Sequence, residues 1–191
     1  MARDPQKTRD LILSTALRLF VEKGYFASSI HDIRHAAGLS IGSIYHHFDS
    51  KESIASAIYD DLLGRMTSMV EDASGSHMTA KAKCRAIISA MFSMHETDPL
   101  TVHFVLHARH REFLPDAPPI CSTRPFELMK QIIEEGIASG EIHPIDPVVA
   151  GAILFGGAMR LLHLAGDGVL SKPLDFYLDE LFEAGWRGIS V

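Results

Sequence analysis

The chain has no asparagine, two cysteines and one tryptophan among its 191 residues. Without asparagine there is no N-glycosylation acceptor, and Cys84 and Cys121 alone cannot build a disulfide framework. Long apolar runs are missing too. The longest apolar-or-glycine stretch, Val148 to Met159, is twelve residues, short of the roughly 18 that a bilayer span needs. The first ten residues carry Asp4 and Asp10 and none of the apolar core of a signal peptide. These absences set the expectation of a cytoplasmic chain with reduced thiols and no membrane partner. A general excess of cations is also lacking, since the net charge is −6.

What is present is ordinary globular material: 47% hydrophobic and 22% charged residues, enough for one or two domains with a packed core. The charge is unevenly divided. Residues 1–51 hold seven Lys or Arg against five Asp or Glu, and the remaining residues hold eleven against nineteen. A mildly basic first quarter on an acidic chain points to two regions with different partners.

Apolar residues recur at three and four positions in segment after segment. Ile12, Ala16, Leu19 and Phe20 form one stripe, closed by Gly24. Ser28 or Ser29 caps a second helix with Ile30, Ile33 and Ala37 inward, ended by Gly38. Ser40 caps a third, short helix to about His47. Ser50 opens a fourth through Ile54, Ile58, Leu62, Met66 and Val70. The polar stretch Glu71 to Met78 reads as a loop. Further helices are expected from Thr79 to Glu96, from Thr101 to His110, from Pro125 to Gly140, from Pro147 to Leu164 and beyond Ser171. There is no convincing alternating strand pattern and no internal repeat, so the fold expected is all-α.

Residues 28–48 read as helix, glycine turn, short helix, the arrangement in which the second helix enters a DNA major groove. At about 100° per residue, Ile44 and Phe48 share the inner side of the short helix, whereas Gly42, Ser43, Tyr45 and His46 share the outer side. Hydroxyl and imidazole groups there can meet base edges or phosphates, and Gly42 lets the backbone come close. Lys51 stands in the first turn of the next helix, within reach of a phosphate.

The segment GYFASSIHDIRHAAGLSIGSIYHHFDSKESI, Gly24 to Ile54, resembles the DNA-binding domain of TetR-family transcriptional regulators. Its most telling part is Gly38 to Phe48 followed by Ser50-Lys51-Glu52, where glycine, tyrosine, phenylalanine and lysine agree at fixed spacing. The likeness covers roughly residues 7–60. It implies a three-helix helix-turn-helix domain over 1–53 and a larger helical effector-binding and dimerisation domain over 54–191. It further implies a homodimer that binds a double-stranded DNA operator, usually as a repressor, and answers to a small-molecule effector. Ile41, Gly42, Ser43, Tyr45 and His46 would face the groove, with Ser40 at the head of that helix. His31 would add a contact, and Ser28, Ser29 and Lys51 would hold phosphates. Arg34 departs from the pattern, standing where a small residue is usual between the two helices. The last two long helices would form the dimer seam, with Leu161, Leu162, Leu178, Leu181, Phe182 and Trp186 as interface residues.

Other signals have competing explanations. Gly38-Leu39-Ser40-Ile41-Gly42 matches G-x-S-x-G, but that nucleophile turn needs a preceding strand. With helix capping the simpler role for Ser40, no enzyme and no cofactor is expected. Methionines at helical spacing are core filler or the adaptable wall of an apolar pocket. The expected cavity set is Met66, Met69, Met91, Met94, His103, Phe104, His107, Met129, Phe155 and Met159. His103, His107 and His110, at i, i+4 and i+7, share one helix face, which suits a transition metal. With His95 they form the alternative, a metal sensor or metal-dependent enzyme.

Overall fold

The structure, a computed structural model, describes residues 4–107 and 109–191. Its helices are α1 (Pro5–Lys23), α2 (Ile30–Ala37), α3 (Ile41–Tyr45), α4 (Lys51–Gly75), α5 (Ala80–Thr97), α6 (Pro99–His107), α7 (His110–Phe113), α8 (Arg124–Ser139), α9 (Pro147–Gly166) and α10 (Asp175–Arg187). A 3-10 turn at Ile120–Ser122 precedes α8. Among the described residues the only β pairing is an isolated bridge, Ile142 with Ser190. Local chemistry sets the helix ends. The Asp4 carboxylate accepts the Gln6 N–H at the start of α1, where Pro5 needs no partner. Gly38 and Gly140 end α2 and α8 in the left-handed region, at φ +64° and +81°, a conformation only glycine adopts freely.

The chain forms two compact units. One comprises Met1–Leu62 with His103–Ala117, the other Leu63–Val102 with Pro118–Val191. The head unit therefore runs past residue 53 along α4 and also takes in a later segment. Its core is Ile12, Ala16, Ile33, Ile44 and Ile54, all fully buried. In the second unit α5, α8, α9 and α10 pack on one another around Ile87, Ile88, Phe92, Ile133 and Phe182. Gly136 permits this approach, because a Cβ there would lie 2.8 Å from the Ala80 methyl and 2.7 Å from Ile142 Cδ1. The Glu141 carboxylate accepts the N–H groups of Ala80 and Lys81, at 3.0 and 3.2 Å, so the chain after α8 satisfies the first turn of α5.

Four expectations need correction. The stretch 71–78 is not all loop: α4 continues to Gly75. Nothing in Glu71 to Ser74 breaks a helix, and Ser74 bonds back to the Val70 carbonyl at 2.7 Å. The helix expected over 101–110 is broken, with α6 ending at His107 and α7 starting at His110. The seam residues Leu162, Leu178, Phe182 and Trp186 are buried within their own unit, with Phe182 and Trp186 stacked at 5.9 Å. Amphipathic spacing identified an apolar face correctly but could not say that the face packs against its own chain. Finally, α9 is long and apolar enough, by length and composition, to cross a membrane. An uninterrupted-run criterion stops at Arg160, whereas the helix as a whole stays apolar. Its Ala150, Leu154, Phe155, Ala158 and Leu162 are buried.

Candidate DNA interface and ligand cavities

The DNA-reading elements are built from short, internally satisfied caps. The Ser29 hydroxyl accepts the Asp32 N–H at 3.1 Å, and the Asp32 carboxylate accepts the Ser29 N–H at 2.9 Å. This reciprocal capping box fixes the start of α2. The Asp32 carboxyl is held below its ordinary range by the Ser29 hydroxyl first and the Ser29 N–H second. At α3 the Ser40 hydroxyl accepts the Ser43 N–H at 3.1 Å, the capping role expected of it. Ile44 is fully buried and Phe48 nearly so, which turns the opposite side of α3 outward. Gly42, Tyr45 and His46 are exposed there, Ile41 and Ser43 half-exposed, and Tyr45 keeps 51% of its surface open. His31 is exposed on α2, whereas Arg34 is half-buried and its carbonyl accepts the Leu39 N–H at 3.1 Å.

Two expected phosphate contacts sit differently. Ser28 is 2% exposed, and its hydroxyl points to the carbonyls of Gly24 and Leu19, at 2.9 and 3.3 Å. A buried hydroxyl engaged in this way joins α1 to the following turn and does not present itself to DNA. Lys51 donates to the carbonyls of Tyr25 and Ser28, at 3.0 and 2.9 Å, and its ammonium lies 4.0 Å from the centre of the Tyr25 ring. Two of its three N–H donors are therefore engaged within the protein.

Tyr25, which the sequence did not single out, is the hub of this unit. Its hydroxyl donates to Glu52 at 3.0 Å, and its ring stacks on Phe113 at 4.3 Å and meets Phe20 edge-on at 5.2 Å. Burial first, then the Glu52 carboxylate, raises the Tyr25 hydroxyl pKa above its ordinary value. The Glu52 carboxyl is lowered, chiefly by its own backbone N–H and then by Tyr25. Sequence alone offered one usable signal here, the S-x-x-D spacing of Ser29 and Asp32. Nothing in it connected Tyr25 with Phe113.

The expected ligand residues divide between two cavities, one in each unit. In the head unit, His103, Phe104 and His107 line a hollow of about 280 Å³ together with Phe20, Tyr25, Phe26, Arg109, Glu112 and Phe113. In the other unit, Met129, Phe155 and Met159 line a groove of about 580 Å³ between α8 and α9, with Cys121, Phe126, Ile133, Val148 and Ala152. Met66, Met69, Met91 and Met94 line neither. Cys84 is buried, and burial first, then Glu141, pushes its thiol up to about 12, so it packs as a small apolar group.

The histidines do not converge on a metal. His103 and His107 stack at 4.4 Å, but the helix break moves His110 off their face and into a ring cluster with Tyr59 and Phe104. His95 belongs to the other unit. Among the described residues no three ligand-type side chains gather at one point.

His110 is 8% exposed, and neither ring nitrogen has a well-formed hydrogen bond. Burial lowers its pKa, against a weaker opposing pull from the Val105 and Phe104 carbonyls. Above about pH 6.5 the ring is neutral in folded and unfolded chains alike. Below that, the unfolded chain takes up a proton that the folded one resists, so stability falls as the pH drops through the window below 6.5. His110→Phe keeps the ring packing and should flatten this decline, measured by urea unfolding between pH 5 and 7.5. An unchanged slope would mean that other groups set the acid sensitivity.

Residues 12–58 match the family described as bacterial regulatory proteins, tetR family. The transcriptional repressor KstR2 of Rhodococcus jostii is 32% identical over 136 residues, 69% of this chain and 66% of that relative. The fatty acid metabolism regulator protein of Bacillus subtilis is 28% identical over 149 residues, 76% of each chain. Among solved structures, a TetR-family regulator from Marinobacter aquaeolei superposes with a TM-score of 0.79 at 18% identity, covering 97% of this chain and 96% of that one. The regulator FadR from Bacillus subtilis, solved in complex with stearoyl-CoA, gives 0.77 at 23% identity, covering 94% and 98%. Both share the whole all-α fold, and together with the capped, outward-facing α3 these matches establish that the chain belongs to the TetR family of DNA-binding bacterial transcriptional regulators.

Proposed function

We propose that the protein represses transcription by occupying a palindromic operator as a homodimer, and that a small, largely apolar effector in the α8–α9 groove releases it. The observation that carries the DNA-binding part is α3, whose Gly42, Tyr45 and His46 are open to solvent while Ile44 anchors the helix from behind. Ile41, Ser43 and His31 complete the reading surface, with Ser29 at the phosphates. A second copy is the partner that suits α9, which exposes Val148, Val149 and Ile153. Val149 and Ile153 lie about 100° round that helix from the groove residues Val148 and Ala152. One face of α9 can thus bind the effector while the next meets a second copy.

The groove volume of about 580 Å³ lies in the range of small-molecule sites. Its walls are methionine, phenylalanine, isoleucine and valine, with Lys130 and Glu127 at its edge. That suits an extended hydrocarbon with one polar end. FadR's stearoyl-CoA is a ligand of this general kind. Effector and operator must then weaken each other by the same factor.

Selection from a randomised duplex pool with the full-length protein tests this function. Enrichment of an inverted repeat is expected, with half-site centres about 34–36 Å apart or a multiple of that. His46→Ala should alter preference at one position of each half-site by about tenfold, since a base contact is worth roughly 1–3 kcal/mol. A pool that stays random, or an identical consensus for His46→Ala, would count against α3 as the reading helix.

A further inference from the structure

We propose that the hollow in the head unit is a second ligand site, one that takes a small planar aromatic carboxylate and is separate in place and chemistry from the α8–α9 groove. The cavity is walled by rings. Tyr25 and Phe113 are stacked 4.3 Å apart, Phe104 lies 6.3 Å from Phe113, and Phe26 stands edge-on to Tyr25 at 5.2 Å. Four of these walls have an obvious reason to be there, since Phe20, Tyr25, Phe104 and Phe113 are buried core. Phe26 does not: it keeps 67% of its surface exposed at the rim. A flat ring entering the hollow would meet Phe26 and bury apolar surface that water now covers. A volume of about 280 Å³ falls near the lower end of small-molecule pockets, the size for one or two fused rings.

The polar rim fixes the sign of the guest. Arg109 donates once to Glu112, from Nη1 to Oε1 at 3.1 Å, in a solvent-exposed pair of the kind that holds its partners weakly. A guanidinium has five N–H donors in a planar fork, so the Glu112 pair leaves most of this one's donor capacity unused. His103 and His107, stacked at 4.4 Å, also line the hollow. The guanidinium offers donors only, and an acceptor-only group such as a carboxylate complements it. It can take the second edge of the Arg109 fork or replace Glu112 on the first. An organic cation would instead face Arg109 at close range.

The site lies beside the turn that sets up the reading helices. Tyr25 and Phe26 are four and three residues before Ser29, the cap of α2, and the Tyr25 carbonyl is held by Lys51. A guest against these rings would therefore touch the head unit itself.

Calorimetric titration of the full-length protein with 1-naphthoate, and with the neutral 1-naphthamide, tests the assignment, with the ring resonances of His103 and His107 followed by NMR. One naphthoate should bind per chain and shift both imidazoles, with the amide at least tenfold weaker. Arg109→Gln should weaken naphthoate at least tenfold and leave the amide unchanged, whereas Phe26→Ala should weaken both. Both side chains are exposed, so melting temperatures near wild type are expected and certify the fold. Val148→Gln in the α8–α9 groove should leave naphthoate binding intact. Absence of binding, equal affinity for acid and amide, full affinity in Arg109→Gln, or loss in Val148→Gln would each overturn the proposal. None of these outcomes depends on the operator or on the groove effector.

Discussion

Changing Val149 and Ile153 together to aspartate should turn the protein into a monomer and weaken its hold on a palindromic operator by a factor of about a hundred or more. Both side chains are exposed on one strip of α9, so the folded chain tolerates the charges, but a second copy cannot bury four carboxylates against itself. The loss on DNA follows from avidity: two linked heads bind adjacent half-sites about 10²–10⁴ times more tightly than one head alone. Sedimentation at several concentrations, with anisotropy on a selected operator, measures both halves of the claim. A variant that sediments as a dimer would move the seam away from α9. Aspartate at Leu178 would not serve the same purpose, because that residue is 7% exposed and the change would unfold the chain.

Lys51→Ala should lower stability by about 2 kcal/mol or more, and the salt slope of DNA binding should stay as it was. The estimate rests on two hydrogen bonds from a charged donor, at roughly 1.5–3 kcal/mol each, discounted because the side chain is half-exposed. Its position over the Tyr25 ring adds a cation–π contribution. Removing the ammonium leaves the Ser28 carbonyl without its donor and the Tyr25 carbonyl with the Ser28 N–H alone, at 3.2 Å, and frees the start of α4 from the turn before α2. A residue whose main work is holding a phosphate behaves in the opposite way, with stability unchanged and the slope reduced by about one. Urea unfolding together with a salt titration separates these outcomes. A reduced slope at unaltered stability would restore Lys51 to a purely DNA-facing role.

Much of the helical order was legible because its punctuation is local. Gly38 and Gly140 end their helices where φ must be positive, and Ser40, Thr79 and Asp146 each accept the N–H that a cap should. Tyr45 and His46 were placed outward by the position of Ile44 alone. What the sequence hid was long-range or depended on what a face packs against. Polar composition made Glu71 to Ser74 look like a loop, although helices accept polar residues wherever one side meets water. The turn at Arg109 that separates His107 from His110 has no glycine or proline to announce it. Ser28 and Ser29 look interchangeable as caps, but one is buried against two carbonyls and the other forms the capping box. Leu178 and Phe182 share their spacing with any seam helix, and only packing shows that their own unit already covers them. Six of the expected ligand residues line a cavity, yet periodicity gave no hint that they fall in two different ones.

The membership of His103–Ala117 in the head unit bears on how the protein is made. Synthesis proceeds at about 5–20 residues per second, so Ala117 is joined to the chain roughly 3–11 seconds after Leu62. During that interval the nascent head has Tyr25 but not Phe113, the ring that stacks on it, and part of its apolar surface has no cover. The same gap follows the gene into the laboratory. A fragment cut at residue 53 or 62 to isolate the DNA-reading helices would carry that uncovered surface permanently, and would be prone to sticking to itself or to chaperones.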